Sequence, residues 1–500
     1  MEKLDQAKTP FLDALKKYME EDISPFDVPG HHMGNVPNKL KDLIGDEVFK
    51  ADVNAPRGLD NLNHPTGVIK EAEGLLAKAY GAKDAFFLVN GTTSGIQALI
   101  MTVCKAKDKI ILPRNCHKSA INALILSGAI PIFISPSFDN DLEIANQPTL
   151  ESYIKAMDEN KDAKAIFVIN PTYFGTCLDL AYLVKEAHQR GMLVLVDEAH
   201  GSHFGFNKRG PLSAIKAGAD ATSCSFHKTL GSLTQSSVLL LNSPHISHYD
   251  IMKTLNILNT TSPSNLLIAS LDAARYYMAN FGEAKLEEIV SLANFARNEI
   301  NKIPGFKAVG KDYFKSLGAY DYDETKLVIE LDNINLTGFE LYNILKDNYH
   351  IQMELAEQYV VLAIIAIGSK GEHINNLISA LKDISEKYYK ANLTYPKYRF
   401  DTKYPRQLVR PRSAYHAPLK KVKLEEAVGE ISKEAIMVYP PGIPLIIPGE
   451  VFSAPLIEHI KYYLKTGATI LSDYDDGYVA VIDRATWPNY YKYKEDLEND

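Results

Sequence analysis

What most constrains this chain is an alternation that runs from about residue 80 to residue 240. Short, nearly continuous apolar runs recur there: AFFLVN (85–90), KIILP (109–113), PIFIS (131–135), AIFVIN (165–170), LVLVDEAH (193–200) and SSVLLL (236–241). Runs so rich in Val, Ile, Leu and Phe, without a polar residue at every second position, read as strands covered on both faces. Between them lie stretches of helical periodicity such as SGIQALIMTVCKA, KSAINALILSG and LAYLVKEAHQRG, the last two closed by glycine. Strand–helix alternation predicts an α/β fold with a mostly parallel sheet and helices on both faces. Ligands of such sheets bind outside the carboxyl ends of the strands, so chemistry is to be sought in the loops there.

Five hundred residues are too many for one core. The expected division is an N-terminal segment (1–25), a large domain (26–289), a small α+β domain (290–392), a linker (393–412) and a C-terminal unit (413–500). The N-terminal segment reads as a short amphipathic helix with no signal-peptide core. The small domain follows from the order KLVIEL (326–331), helical TGFELYNILKDN, IQMEL and YVVLAIIAI, and the linker carries three prolines and six basic residues against one acid.

The formal charge of −8, from 54 basic and 62 acidic residues, argues against wholesale binding of nucleic acid or anionic membrane. No stretch reaches the roughly 18 apolar residues of a membrane span. Cysteines 104, 116, 177 and 224 form no CxxC pair, which points to free thiols in a cytoplasmic protein and away from disulfides or structural zinc. No metal is expected.

Three constellations carry chemistry. In VNGTTSGIQALI (89–100) a strand is followed by Gly91, Thr92, Thr93, Ser94 and Gly95 and then by a helix. Free N–H groups and hydroxyls at a helix start suit a phosphate, although a plain helix cap looks the same. No GxxxxGK[ST] loop occurs. In VLVDEAHGSH (194–203) Asp197 ends a buried strand. The DEAH string resembles a helicase box, but the P-loop such a box needs is missing. Asp197, Glu198, His200 and His203 as a metal set, a carboxylate held to pair with a cationic ring nitrogen, and a helix-capping aspartate remain the other readings. In ATSCSFHKTLGSLTQSS (221–237) a strand-like run leads to Ser225, His227 and Lys228. A buried lysine loses its charge readily and forms Schiff bases, whereas a snorkelling lysine does neither. A phosphate cradle, a cation-pairing aspartate and a strand-end lysine, in that order, are the contacts that pyridoxal 5'-phosphate (PLP) requires. The order and the α/β setting resemble fold-type I PLP enzymes, the aspartate aminotransferase-like class.

A closer resemblance rests on VPGHHMG (28–34), GLDNLNHPTGVIKEA (58–72), FFLVNGTTSG (86–95), LPRNCHKS (112–119), INPTYFGT (169–176), VDEAHGSHF (196–204), SFHKTLGSLTQSS (225–237) and YPPGIPLIIPGE (439–450). These strings resemble the bacterial ornithine/lysine/arginine decarboxylase family, in its short Gram-positive form, over nearly the whole chain. The resemblance implies a fold-type I large domain, a small domain and a family-type C-terminal domain. It also implies PLP held as a Schiff base by Lys228, Asp197 against the ring nitrogen and His117 stacked on the ring, these three being the catalytic set. Thr92, Thr93, Ser94, Ser225 and His227 fall in the phosphate cradle, His200 near the ring edge, and Thr261, in TTSPS (260–264), toward a neighbouring subunit's phosphate. The early motif reads GHHMG where many members carry a lysine after the first histidine, so His32 receives no role.

The implied reaction is decarboxylation of a basic amino acid to a polyamine precursor. INPTYFGT, GSLTQSS and MVYPPGIP look most like the arginine-specific short members, which favours arginine to agmatine over lysine to cadaverine or ornithine to putrescine. Glu450, ending the Pro-Gly string, is the first candidate for the substrate's distal cation and Asp27 the second. Family members place the site between subunits, so a homodimer or larger homo-oligomer is expected. Aminotransfer is the more remote alternative; it usually needs a small-domain arginine, and none occurs between 298 and 398.

Overall fold

The computed structural model describes residues 5–395, 404–439, 443–466, 469–473 and 477–487. Residues 396–403 of the expected linker and 440–442 of the Pro-Gly string lie outside the described residues.

The alternating region forms a seven-stranded sheet: β1 (Asp84–Leu88), β2 (Lys109–Pro113), β3 (Ile130–Ile134), β4 (Ala165–Ile169), β5 (Leu193–Asp197), β6 (Ala221–Cys224) and β7 (Ser237–Leu241). Their order is β1-β7-β6-β5-β4-β2-β3. Strand side chains alternate between two buried faces, which is why the runs read as continuously apolar. Phe86 and Leu88 join one hydrophobic cluster, Phe87 and Val89 another.

β7 alone runs antiparallel to its neighbours. The link from β6 holds only a one-turn helix, Phe226–Thr229, and no crossover helix that would return the chain for a parallel pairing. β1 thereby points the same way as β2 to β6, and the carboxyl ends of β1, β2, β4, β5 and β6 open on one edge.

The small domain is an antiparallel sheet of β8 (Phe306–Val309), β9 (Lys326–Leu331), β10 (Leu355–Ala356) and β11 (Val360–Ile364), ordered β8-β9-β11-β10. One helix, Asn265–Ile300, runs straight through position 289/290. Its early residues Ile268 and Leu271 and its late residues Ala293 and Ile300 enter the same core cluster. The C-terminal unit packs its own cluster, including Val422, Ile436, Ile446, Ile460 and Val481. The N-terminal helix, Pro10–Glu20, buries Phe11 and Leu15, and Asp272 accepts from the Phe11 N–H at 3.0 Å. Among the described residues no helix is long and apolar enough to cross a membrane.

Candidate active site

The carboxyl edge of the sheet encloses a cavity of about 440 Å³. Lys228, Asp197, His117, His200, Thr92, Thr93, Ser225 and His227 all line it, so eight expected site residues from four loops converge there.

Lys228 stands on the one-turn helix that joins β6 to β7, anchored by the buried Phe226. Its Nζ is 2.8 Å from His200 Nε2 and 5.2 Å from the centre of the Tyr173 ring. Burial pulls the ammonium below the ordinary lysine range, against the pull of Asp197 and Glu354 and with that of Lys326. A lysine so placed spends more of its time as the uncharged nucleophile.

Asp197 is the last residue of β5 and is nearly closed to solvent. Its Oδ1 accepts from the Ala199 N–H at 3.1 Å. Burial raises its carboxyl, while the Ala199 N–H and Lys228 oppose the rise. Among the described residues no lysine, arginine or histidine comes within 4.0 Å of it as an ion-pair partner. A carboxylate held this way beside a cavity suits a ligand cation such as a protonated ring nitrogen.

His117 caps the helix Lys118–Ser127. Its Nδ1 accepts from the Ser119 N–H at 3.2 Å, which assigns the ring proton of the neutral form to Nε2. Burial, followed by Lys228 and Lys118, lowers it to about 4, so the ring is neutral at ordinary pH. His200 is held neutral by burial and by Lys228 and Lys326. Its ring lies 4.1 Å from that of Tyr173, and its buried Nδ1 has no hydrogen-bond partner among the described residues.

The helix Gly91–Val103 opens beside the cavity with Gly91 at φ +71°. Thr92 Oγ1 bonds to Ser225 Oγ and donates to Ser237 Oγ at 3.1 Å. A Cβ on Gly95 would fall 2.2 Å from Ser223 Oγ and 2.7 Å from Leu88 Cδ1, so only glycine lets this helix start settle so closely on the sheet. Free N–H groups, threonine and serine hydroxyls and the helix dipole together suit a phosphate. With Asp197 and Lys228 lining the same cavity, the donor set fits a phosphorylated pyridine aldehyde.

Several expectations are corrected. Ser94 turns its hydroxyl to the Gly91 carbonyl at 2.9 Å and does not line the cavity. Glu450 is not free for a substrate. Its Oε1 accepts from Arg114 Nε at 3.0 Å and its Oε2 from Arg114 Nη2 at 2.7 Å and the Ile447 N–H at 2.9 Å, all closed to solvent. Asp27, the second candidate for the distal cation, is exposed and lies outside the cavity. Thr261, expected toward a neighbouring subunit's phosphate, is exposed on the surface of its own chain. The four-residue metal reading of 197–203 also fails, because Glu198 accepts from the Ala214 N–H at 2.8 Å and His203 pairs with Asp323 at 3.1 Å.

The structure adds lining residues that the sequence reading passed over: Asn90, Asn115, Tyr173, Thr234 and Gln235. Gln235 takes φ +82°, and its carbonyl accepts from the Gly91 N–H at 2.8 Å, tying the lysine loop to the helix start. All five lie inside four of the quoted strings, which was the available signal.

Comparison with known proteins agrees. The family model described as Orn/Lys/Arg decarboxylase, major domain, matches residues 9–373, and Orn/Lys/Arg decarboxylase, C-terminal domain, matches residues 396–471. The chain is 40% identical over 469 residues to a Bacillus subtilis protein named arginine decarboxylase, covering 93% of this chain and 96% of that one. It is 39% identical over 474 residues to one of the same name from Halalkalibacterium halodurans, covering 94% and 96%. A solved lysine decarboxylase, LdcF of Francisella novicida, matches with TM-score 0.83 at 20% identity over 95% of this chain and 81% of that one. This last likeness shows the fold: a fold-type I large domain with a mostly parallel sheet, followed by smaller units.

Proposed function

The chain belongs to the Orn/Lys/Arg decarboxylase family, and from that premise we propose that it converts arginine to agmatine and carbon dioxide with PLP bound to Lys228. The observation that carries this reading is the meeting of Lys228, Asp197, His117 and the Gly91–Thr93 helix start around one cavity. The preference for arginine rests on the relatives named arginine decarboxylase at 39 to 40% identity.

When bound, PLP supplies an electron sink for the bond to the departing carboxylate. The residues of the chain supply the rest. Lys228, whose ammonium burial pulls below the ordinary lysine range, would offer the amine that holds the cofactor. Asp197 would hold a proton on the ring nitrogen of a bound cofactor, where a buried carboxylate is worth more than in water. His117, neutral, gives the ring a flat partner without a competing charge. Thr92, Thr93, Ser225 and His227 hold the phosphate end. When not holding the cofactor, the Lys228 amine, beside His200 Nε2, would take up a proton from solvent and pass it to Cα, one proton being consumed for each carbon dioxide released.

The proposed division into a large domain, a small domain and a C-terminal unit is supported by their separate sheets, with the boundary at 289/290 falling inside the shared helix Asn265–Ile300 and the end of the 393–412 linker falling inside the helix Pro411–His416. A homodimer with Thr261 at the shared site is part of the reading. It is supported by exposed apolar side chains in the N-terminal part of the chain, where Phe26 is 94% and Leu43 80% exposed. A cytoplasmic location is supported by four buried free thiols. Borohydride reduction of the PLP-loaded protein followed by peptide mapping tests the attachment. A pyridoxyl group on Lys228 is expected, and label on another lysine, or none, overturns the reading.

A further inference from the structure

His200 is gripped from two sides by lysines, the half-buried Lys228 and the buried Lys326. Its ring meets Lys228, and its main-chain carbonyl accepts from Lys326 Nζ at 3.3 Å. Lys326 opens β9 of the small domain and is wholly closed to solvent, as is its partner Asp323, with Nζ to Oδ2 at 2.6 Å. The other oxygen, Asp323 Oδ1, accepts from Thr325 Oγ1 at 2.7 Å and faces His203 Nε2 at 3.1 Å.

The same segment is stitched to the loop that carries Tyr173. The Asp323 N–H donates to the Gly175 carbonyl at 2.8 Å, and Tyr322 pairs with Thr176. A Cβ on Gly175 would lie 3.0 Å from Lys326 Cγ, and its φ of +97° also favours glycine. Residues 321–326 thus clamp both loops that flank the Lys228 amine.

A buried ion pair is a poor way to gain stability, because desolvation of two charges rivals their attraction. Apolar residues would pack this junction between domains as well, which directs attention to what the charges do. Resting on the reading that Lys228 carries PLP, we propose that Lys326 and Asp323 are positioning residues for Lys228: the pair fixes His200 against the reacting amine, and its charges act on that amine through the shared residue.

The groups that face Lys228 are Asp197 and Glu354, which favour its charge, Lys326, which disfavours it, and the neutral histidines His117, His200 and His227. Removing the Lys326 cation therefore makes the amine, or its imine with the cofactor, hold a proton more readily. Neutralising Asp323 leaves the cation uncompensated and acts the opposite way.

The test is a pH titration of the visible absorbance of the PLP-loaded protein, in wild type, Lys326→Met, Asp323→Asn, Lys326→Arg and the double variant Lys326→Met/Asp323→Asn. The midpoint is expected to rise by roughly half a unit or more in Lys326→Met and to fall in Asp323→Asn. It should stay near wild type in Lys326→Arg and move less in the double variant than in either single. Should Lys326→Met not fold, the Asp323→Asn and double variants carry the comparison. Midpoints unchanged while activity falls, or both singles moving the same way, overturn the proposal. A wild-type protein with no visible band overturns instead the PLP reading beneath it.

Discussion

Arg114 and Glu450 form a two-pronged ion pair with neither side chain reaching solvent. Arg114 follows β2 directly and precedes His117 by one short turn, while Glu450 comes from the C-terminal unit. Arg114 Nη1 also donates to the Pro444 carbonyl at 2.8 Å, and the guanidinium lies 5.5 Å from the Phe133 ring centre. The pair therefore holds the strand Ile443–Ile446 against the large sheet, and Ile443 lines the cavity. An acid that looked free in sequence is a bolt between domains.

Breaking that bolt is costly because it strands a buried guanidinium. Glu450→Ala is expected to lower the unfolding free energy by about 3–5 kcal/mol, read from denaturant midpoints. The ratio of arginine to lysine turnover should not change in Glu450→Gln. A reversed preference in that variant would return Glu450 to the substrate pocket.

Asp197→Asn keeps the shape of the site and removes the charge that holds the ring-nitrogen proton. With PLP saturating, kcat is expected to fall by roughly 10²–10³-fold, the usual loss of one preorganised electrostatic partner. Turnover within a few-fold of wild type would detach Asp197 from the ring.

Gly95→Ala forces a methyl against Ser223 Oγ and Leu88 Cδ1. The expected cost is about 1–3 kcal/mol of stability, together with weaker PLP binding as the helix start lifts from the sheet. Equilibrium dialysis of PLP and a thermal melt check both effects.

His117 titrates near 4 in the folded chain against an ordinary value of 6.5. Below pH 6.5 the unfolded chain takes up a proton that the folded chain refuses. The contribution of this group is therefore present above pH 6.5 and is lost as the pH falls toward about 4. The loss amounts to at most about 3 kcal/mol, and it should be missing from His117→Gln in parallel denaturation series. Glu198, raised to about 8 by burial, acts oppositely: its contribution is complete below 4.5 and fades as the pH climbs through 8.

The large sheet was legible because strands buried on both faces leave uninterrupted apolar runs, and the loops at their carboxyl ends followed from that. Lys228, Asp197 and His117 were legible because Asp197 ends such a run and the other two follow a strand by four residues, within strings shared by a family. The antiparallel turn of β7 depended on the absence of a crossover helix, which an apolar run does not reveal by itself. The fate of Glu450 could not be read locally, because Arg114 lies 336 positions away in the chain. Ser94 was misplaced by one helical turn's geometry: its backbone belongs to the helix start, but its hydroxyl folds back on Gly91. Lys326 gave no signal at all, since a lysine opening an apolar strand looks like any edge residue until Asp323 is seen beside it.

The most direct measurement of the central claim is carbon dioxide release by the PLP-loaded chain from arginine, lysine and ornithine, assayed side by side. Arginine is expected to be turned over fastest, with agmatine as the product and no turnover by Lys228→Ala. A wild-type protein with PLP bound and all three substrates inert would contradict the decarboxylase reading, and lysine clearly outrunning arginine would contradict the choice of substrate.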